Sequence, residues 1–335
     1  MRVSSTPAIT VLLPTYNGEA YVRESIESVL SQDTDDFELI VCDDASTDDT
    51  WSIVESYRGL RCRLLSNEKN QGLFPTLNRL MREARSPWVH LFSQDDRMLS
   101  NCLSRTCDFA ANHPEVAMIY SQMHFIDSVG RRAPEEFDND NTPTIVQPLL
   151  GAQIMFYFGS IAGNISNVSL LKTAFDDLGE FREDLEVSGD YEYWTRLGET
   201  HLIGFQRERL IELRTHADQF SKQWSSGVKF LSENREVHHR LLARFPVEEL
   251  KEAKHYERWV IDVNDFHYAM RSVLRGEWRI ALRALRLLNS RTGLLPLAFR
   301  WIVSGNGRLV TRPAVVPPAA RREVVDVPAA NYGSG

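Results

Sequence analysis

Four short apolar segments alternate with helical patterns in the first hundred residues, and this alternation restricts the fold more than any other feature of the sequence. The segments are Ile9–Leu13, Phe37–Cys42, Cys62–Ser66 and Trp88–Phe92. Between them apolar residues recur at helical spacing, as in Glu19–Gln32. Strands that alternate with helices in this way form βαβ units with a parallel sheet and right-handed crossovers. The sequence therefore predicts an α/β fold with a mostly parallel sheet flanked by helices.

Composition narrows the class of protein. The chain has 335 residues, of which 43% are hydrophobic and 25% are charged, as in an ordinary soluble globular protein. Its net charge of −8 argues against a general nucleic-acid binder, which would be basic. The four cysteines show no metal-ligand spacing and are expected to be reduced. The N-terminal segment does not resemble a signal peptide and no stretch is long enough to span a membrane, so we expect a cytoplasmic protein.

Polar side chains follow three of the predicted strands. Thr15-Tyr16-Asn17 follows the first strand, Asp43-Asp44 the second and Gln94-Asp95-Asp96 the fourth. Because the carboxyl ends of parallel strands meet at one edge of the sheet, we expect these segments to form a ligand site.

Each segment offers a different chemistry for a nucleoside diphosphate. Tyr16 presents an aromatic face to a base, and Asp44 can accept a hydrogen bond from a base N–H. Asp95 and Asp96 repel each other unless a cation or water screens them, and carboxylates beside a phosphate suit Mg²⁺ or Mn²⁺. The alternative is an acidic turn that caps the next helix.

These motifs resemble, in order along the chain, those of the inverting family 2 glycosyltransferases, which have the GT-A fold, a Rossmann-like α/β architecture. The resemblance covers about residues 8–225 and is carried by 9–18 (ITVLLPTYNG), 28–32 (SVLSQ), 37–48 (FELIVCDDASTD), 70–72 (NQG) with Asn78, 94–96 (QDD), 189–197 (GDYEYWTRL) and 214–216 (RTH) with Ser221. Each motif alone is weak, whereas this many in the right order is specific.

The resemblance implies a role for each matching residue. The donor nucleotide would be bound by Pro14, Tyr16, Asn17, Asp44, Gln94 and Asp95. A divalent ion, Mg²⁺ or Mn²⁺, would be held by Asp95, Asp96 and His216, and Asp190 would be the general base. Ser93 stands where relatives commonly carry an acid, which weakens the expectation of metal binding and of a contact to the donor ribose. Structural alternatives are packing of Tyr16 in a turn, capping of the helix at Ser46 by Asp44 or by Asp43, core hydrogen bonding by Asp43, and a helix-terminal position for Asp190.

The activity that follows from the resemblance is inverting sugar transfer by metal-assisted single displacement. The donor would be a nucleotide-diphosphate sugar, with a UDP- or dTDP-sugar favoured, and the acceptor a hydroxyl of a glycan or a lipid-linked molecule, as in polysaccharide biosynthesis at the cell envelope. A non-catalytic nucleotide-sugar-binding or scaffold protein on the same fold is the leading alternative. A sugar nucleotidyltransferase is less favoured, because no glycine- and lysine-rich triphosphate loop follows the first strand.

The C-terminal region has a different composition. Between Arg271 and Arg312 there are nine arginines and a single acid, Glu277. Five of the arginines recur every three or four residues and form one stripe of a helix, and the apolar segment Leu294–Val303 follows. A basic amphipathic helix is typical of an anionic membrane surface, which would place the protein on the inner face of a membrane. Packing of this helix on the catalytic domain or on a partner subunit is the alternative.

The sequence thus predicts a GT-A catalytic domain over residues 1–226, with a donor half at 8–127 and an acceptor half at 148–226. A helical region is expected at 227–310, and residues 311–335, which contain four prolines, are expected to form a disordered tail.

Overall fold

The computed structural model describes residues 6–59, 61–133, 142–216, 219 and 226–304. The described residues form two compact units. The first lies within Met1–Pro148 and Ala162–Val237, and the second lies within Leu149–Ile161 and His238–Gly335. The predicted domain boundaries stay predictions, and the segment 149–161 groups with the second unit. Ser221 and the predicted tail at 311–335 lie outside the described residues.

A mixed sheet forms the centre of the first unit. Its strands are β1 (Ile9–Thr15), β2 (Phe37–Asp43), β3 (Cys62–Ser66), β4 (Trp88–Leu91), β5 (Arg97–Met98), β6 (Val116–Ile126), β7 (Ile145–Val146), β8 (Val168–Leu171) and β9 (Leu202–Arg214). Within the described part of the chain the strand order is β3-β2-β1-β4-β8-β6-β9-β5, with β7 paired to β9. The first four strands are parallel, as predicted, whereas β8 runs antiparallel between β4 and β6.

Helices connect these strands and build the second unit. They are α1 (Val22–Leu30), α2 (Thr50–Glu55), α3 (Leu73–Glu83), α4 (Cys102–Asn112), α5 (Leu150–Phe158), α6 (Lys172–Leu178), α7 (Gly189–Gly198), α8 (Gly227–Leu242), α9 (Val247–Tyr256), α10 (Asp262–Leu274), α11 (Trp278–Arg291) and α12 (Leu294–Val303). A π-helical turn, Glu257–Ile261, joins α9 to α10.

Apolar periodicity explains how the first unit is packed. All seven residues of β1 are buried, because the parallel strands lie between two layers of other elements. On α1 the buried side chains Val22, Ile26 and Val29 recur every three or four residues and face this sheet. The helix predicted at Glu19–Gln32 begins only at Val22, since the N–H groups of Tyr21 and Val22 both donate to the carbonyl of Gly18 in a preceding turn.

Some elements differ from the prediction. The sequence pattern predicts a helix over Leu99–Ala111, whereas α4 begins at Cys102, because the N–H of Leu99 donates to the carbonyl of Leu210 in β9. The pattern predicts a single segment at Phe156–Val168, which the structure divides between α5 and the start of β8. The apolar run Leu210–Arg214 predicts a short strand, which is the end of the longer strand β9.

The second unit is helical, as predicted for this region. An aromatic cluster of Phe156, Tyr157, Phe245 and Tyr256 forms part of its interior, and the Tyr256 hydroxyl donates to the carbonyl of Tyr157 at 2.6 Å. Among the described residues, no helix is both long enough and apolar enough to cross a membrane.

The backbone of Ala45, directly after β2 and Asp44, has a φ of 60°. A side chain in this left-handed region costs about 1–2 kcal/mol, which glycine avoids. Glycine also loses about 0.4–1 kcal/mol because it loosens the unfolded chain. We expect Ala45→Gly to stabilise the protein by roughly 0.5–1 kcal/mol in urea denaturation. Ala20→Gly is the matched control, since Ala20 is not among the residues with positive φ, and this variant should be less stable than the wild-type protein. A loss of stability in both variants would contradict backbone strain at Ala45.

Candidate active site

The structure brings the three predicted polar segments to one edge of the sheet. Thr15 at the end of β1 is in register with Asp43 at the end of β2. On the other side of β1, the N–H of Phe92 donates to the carbonyl of Leu12 at 2.9 Å and carries β4 to the same edge. The loops that follow these strands therefore form adjacent walls of one site.

Gln94 holds the loop that carries Tyr16. The N–H of Tyr16 donates to Oε1 of Gln94, and Nε2 of Gln94 donates back to the carbonyl of Tyr16, both at 2.9 Å. A Cβ on Gly18 would lie 2.2 Å from Oε1 of the same amide, so a larger residue there would displace Gln94 from the backbone of Tyr16. The Tyr16 side chain remains 42% exposed. The structure thus places Gln94 behind Tyr16 as a support and leaves the tyrosine ring open at the edge.

The loop after β1 is also tied to the loop after β2. The N–H of Asn17 donates to Oγ of Ser46, and its Oδ1 accepts from the N–H of Thr47 at 2.8 Å. Asp43 accepts from the N–H of Ser46 at 3.0 Å and from the Ser46 hydroxyl at 2.6 Å, within the loop and not at the start of α2, which begins at Thr50. Asn17 therefore braces the loop with its side-chain oxygen. Pro14, also predicted to meet the nucleotide, is buried within β1.

Asp44 organises a third loop. Its carboxylate accepts from Nδ2 of Asn67 at 2.6 Å and from the N–H groups of Gln71 and Gly72 at 2.9 and 2.8 Å. Gly72 has a φ of 96° and begins the turn into α3. The N–H of Gln71 also lies 3.1 Å from the second oxygen, so about four lone-pair sites of this buried carboxylate all have a donor.

Asp95 and His216 meet at the same edge. The Asp95 carboxylate lies 3.5 Å from Nε2 of His216. Burial raises the pKa of Asp95, and the neighbouring His216 opposes that shift. The His216 ring lies 5.0 Å from the ring of Tyr21, and neither of its buried nitrogens has a hydrogen-bond partner among the described residues.

Asp96 points into the protein. Its Oδ1 accepts from the N–H of Arg214 at 2.8 Å, and its Oδ2 accepts from the hydroxyl of Ser166 at 2.5 Å. Burial raises the pKa of Asp96 to about 7. Both oxygens are thus bound by the chain, which makes Asp96 an anchor for the loop and separates its surroundings from those of Asp95.

The side chain of Arg214 locks this loop in place. Its Nε donates to the carbonyl of Asp95 at 2.8 Å, and its terminal nitrogens bond to the Glu24 carboxylate and to the carbonyls of Asp127 and Ser128. The guanidinium also lies 4.5 Å from the centre of the Tyr21 ring. One buried cation therefore connects β9 with α1, with the loop after β4 and with the end of β6.

His90 holds the segment of Ser166, whose hydroxyl donates to Asp96. Its ring bonds through Nδ1 to the hydroxyl of Ser169 at 2.8 Å and through Nε2 to the carbonyl of Ser166 at 2.9 Å. Complete burial lowers the pKa of His90 to about 4. A neutral imidazole in the middle of the sheet thus holds the segment that offers the Ser166 hydroxyl to Asp96.

Asp190 lies in the first turn of α7, as predicted. The N–H of Tyr191 donates to its Oδ1 at 2.8 Å. Burial raises the pKa of Asp190 to about 6, and the charge of Glu233 adds to the shift. Glu233 in turn accepts from the N–H groups of Glu186, Val187 and Ser188 at 3.0, 2.9 and 2.8 Å. The loop that delivers Asp190 is therefore held by a carboxylate of α8.

Packing ties this helix start to the loop of Asp44. A Cβ on Gly189 would lie 2.7 Å from the ring of Phe74, in the first turn of α3. Further along α3, Asn78 bonds through both ends of its amide to the backbone of Phe181 at 2.9 Å. The same helix that follows the Asp44 turn thus also fixes the approach of α7.

Three supporting residues were not predicted from the sequence. Ser166 and Glu233 lie outside the polar segments that follow the predicted strands. Arg214 belongs to the motif at 214–216 but has no predicted role. Each acts through hydrogen bonds to residues far away in the chain, and only the neighbouring His216 gave Arg214 a sequence signal.

The donor atoms at this edge fit a divalent ion shared with a phosphate. Asp95 contributes a carboxylate, and His216 contributes an imidazole whose Nε2 faces that carboxylate at 3.5 Å without a hydrogen bond in the described part of the chain. No group of three or more histidine, cysteine or acidic side chains suited to a metal occurs among the residues described. One or two protein ligands completed by substrate phosphates and water are the usual arrangement for Mg²⁺.

Comparison with known proteins shows which class of protein this chain is similar to. Residues 10–169 match the model of glycosyl transferase family 2. The chain is 28% identical over 228 residues to the putative glycosyltransferase EpsE of Bacillus subtilis, and the match covers 66% of this chain and 78% of that protein. Over residues 10–169 the chain is therefore similar to the family 2 glycosyltransferases.

Solved structures show the same fold. S. aureus TarS 1-349 in complex with UDP superposes with a TM-score of 0.58 at 20% identity and covers 90% of this chain and 89% of that one. TarS 1-349 in complex with UDP-GlcNAc gives a TM-score of 0.57 at 19% identity, with 90% of both chains covered. The GT-A fold expected from the sequence is therefore confirmed.

The buried His90 should make stability depend on pH. Because its pKa of about 4 lies below the unfolded value of about 6.5, its contribution is present above pH 6.5 and is lost as the pH falls towards 4. For a fully buried group the loss between pH 7 and 4.5 is about 2 kcal/mol. We expect His90→Gln to lose correspondingly less stability over this range than the wild-type protein, measured by denaturant unfolding.

The control is His113→Gln, at a half-buried histidine beside Glu115. It should keep the full acid sensitivity of the wild-type protein. If the wild-type protein and His90→Gln lost the same amount of stability between pH 7 and 4.5, the lowered pKa of His90 would be contradicted.

Proposed function

We propose that the chain transfers a sugar from a nucleotide-diphosphate sugar to an acceptor hydroxyl, with inversion at the anomeric carbon and with Mg²⁺ or Mn²⁺ at Asp95. The observation that carries the proposal is that two carboxylates, Asp95 and Asp190, lie in different surroundings. Asp95 lies at the sheet edge, 3.5 Å from Nε2 of His216, whereas Asp190 lies at the start of a separate helix and has a raised pKa.

The proposed donor is a UDP- or dTDP-sugar. The exposed ring of Tyr16 would stack on the base, while the Asp44 carboxylate would accept the base N–H in place of the longer of its two contacts with the Gln71 N–H. Gln94 and Asn17 would act by fixing the loop that presents Tyr16. The binding of UDP and UDP-GlcNAc by TarS, a protein of the same fold, supports this class of donor.

The proposed metal ligands are Asp95 and His216. A divalent ion bound there would offset the negative charge that develops on the departing diphosphate. Asp96 would hold the loop from behind, since both of its oxygens already accept hydrogen bonds from the chain. Arg214 would keep Asp95 at the edge through its bond to the Asp95 carbonyl.

Asp190 is the proposed general base. With a pKa of about 6 it is ionised at neutral pH but is far too weak to remove a sugar hydroxyl proton in advance. The proton must therefore move to Asp190 as the acceptor oxygen bonds to the anomeric carbon and the bond to the diphosphate breaks. A single displacement of this kind inverts the anomeric centre.

The proposed acceptor is a hydroxyl of a glycan or of a lipid-linked molecule, and the proposed place is the inner face of a membrane, where cell-envelope polysaccharides begin. The arginine-rich helices of the second unit support this location by their charge.

Ser93 favours the second candidate, a non-catalytic nucleotide-sugar-binding protein. It leaves the edge without the acid that relatives commonly carry two residues before the metal-binding aspartate. Its N–H donates to Ser166 Oγ at 3.1 Å, and its carbonyl accepts from Ser25 at 3.0 Å. Donor hydrolysis with and without Mn²⁺ separates the two candidates, because only the enzyme releases sugar.

Asp95→Ala should remove the effect of the metal on donor binding. Arg214 bonds to the backbone of Asp95 and not to its side chain, so the loop should keep its position in the variant. In calorimetric titration with UDP, we expect Mn²⁺ to raise the affinity of the wild-type protein but not that of Asp95→Ala. Asp108→Ala on the surface of α4, with a largely exposed side chain, is the control. An unchanged Mn²⁺ effect in Asp95→Ala would show that the metal is held elsewhere.

Asp190→Asn should lower turnover while donor binding persists. The asparagine keeps an oxygen to accept the Tyr191 N–H but cannot take a proton, so donor hydrolysis should fall by a factor on the order of 10²–10⁴. The wild-type kcat/KM should also fall below a pH of about 6, where Asp190 becomes protonated.

Asp177→Asn, at an exposed position of α6, is the matched control and should retain full activity. A loss of less than about fivefold in Asp190→Asn, or an equal loss of UDP affinity, would make Asp190 a structural residue.

A further inference from the structure

Helix α12 buries one apolar and one charged side chain, Leu297 and Arg300, and exposes a row of apolar ones. Its buried face carries Arg300, whose Nη1 donates to the carbonyl of Arg258 at 2.9 Å and lies 4.0 Å from the carboxylate of Asp262. The neighbouring Trp301 donates through Nε1 to Nδ1 of His267 at 3.2 Å. Polar contacts therefore attach α12 to the rest of the helical unit.

The outward face of α12 is apolar. Leu295, Phe299 and Ile302 are 86%, 65% and 65% exposed, and Val303 is also exposed. Their positions i, i+4, i+7 and i+8 lie on one side of a helix. Burying these side chains in water-free surroundings is favourable, so this face is built to be covered.

Helix α11, which packs against α10 and α12, adds charge to the same unit. Arg279, Arg283 and Arg286 are exposed and follow one another at helical spacing. Trp278, 63% exposed, and Leu282 lie one turn apart beside this row. Arginine with tryptophan and leucine at an exposed surface is the composition of a helix that lies in the headgroup region of a bilayer.

The positive charge of the arginine row on α11 decides which kind of molecule can cover the exposed faces of α11 and α12. A second copy would bring its own arginine row towards the first, and like charges oppose such a contact. Residues 305–335 carry four arginines and two acids, so they too would add positive charge. An anionic lipid surface instead offers phosphates to the arginines and acyl chains to the apolar side chains.

We infer that α12 inserts its outward apolar face into the interfacial layer of an anionic bilayer while the exposed arginines of α11 bind lipid phosphates. This inference names the surface for the membrane location in the proposed function and does not depend on the donor chemistry. A helix of ten residues is about 15 Å long, half the thickness of the hydrocarbon core, so it lies in the interface without spanning the membrane.

The test is flotation of the full chain with vesicles of phosphatidylcholine, alone or mixed with phosphatidylglycerol, at low and high salt. The wild-type protein should float with the anionic vesicles and be released as salt rises. Each basic residue at such a surface is worth about fivefold in partitioning, so Arg279→Glu with Arg283→Glu should reduce binding by at least about tenfold. Phe299→Ser with Ile302→Ser should reduce it by a similar factor.

Matched controls have the same chemistry at other exposed positions. Lys251→Glu with Lys254→Glu reverses two charges on α9, and Val129→Ser with Val247→Ser removes two exposed apolar side chains. Both controls should bind vesicles like the wild-type protein. Because all four substituted positions of the test variants are exposed, their folding should be retained, and circular dichroism checks this.

Three results would overturn the inference. The first is absence of vesicle binding together with a dimer, in sedimentation equilibrium, that Phe299→Ser with Ile302→Ser dissociates. The second is binding that appears only after residues 305–335 are removed. The third is equal binding to neutral vesicles that the arginine variants do not change. UDP titration of the same preparations separates this failure from failure of the proposed function, since the lipid variants should retain UDP binding.

Discussion

The buried guanidinium of Arg214 is the interaction on which the site depends. A charge removed from water must be fully paired, and this one is paired with Glu24 on α1 and with carbonyls at Asp95, Asp127 and Ser128. Satisfying one cation thus brings four separate segments together. Asp95 lies at the sheet edge because its carbonyl is one of those partners, and Asp96 turns inward to the N–H of the same arginine.

Asp96 and Asp190 both have raised pKa values, but their surroundings differ. Asp96 has both oxygens bound by the chain, so its burial serves to hold a loop. Asp190 accepts the N–H of Tyr191, and the charge of Glu233 adds to the rise of its pKa at the start of α7. The contact of Gly189 with Phe74 connects this helix to the turn organised by Asp44. Helix α3 therefore supports both the proposed nucleotide-binding loop and the proposed general base, Asp190.

Local sequence patterns predicted the features that depend on residues close together in the chain. Apolar runs and turn residues predicted β1–β4 and their common edge. The inward turn of Asp96 was not predictable, because its partner Arg214 lies 118 residues away. Glu233 was hidden for the same reason in a helix without a motif. The arginine stripe was visible from its spacing, whereas the burial of Arg300 and the exposure of Phe299 depend on which face of α12 meets α10.

The central claim is that a nucleoside diphosphate and a divalent ion meet at Asp95. Crystals grown with UDP and Mn²⁺, measured for anomalous scattering from manganese, test it most directly. The account predicts a manganese peak bound by the Asp95 carboxylate and His216, with the uracil beside Tyr16. A nucleotide bound away from this edge, or manganese bound at Asp190, would contradict it.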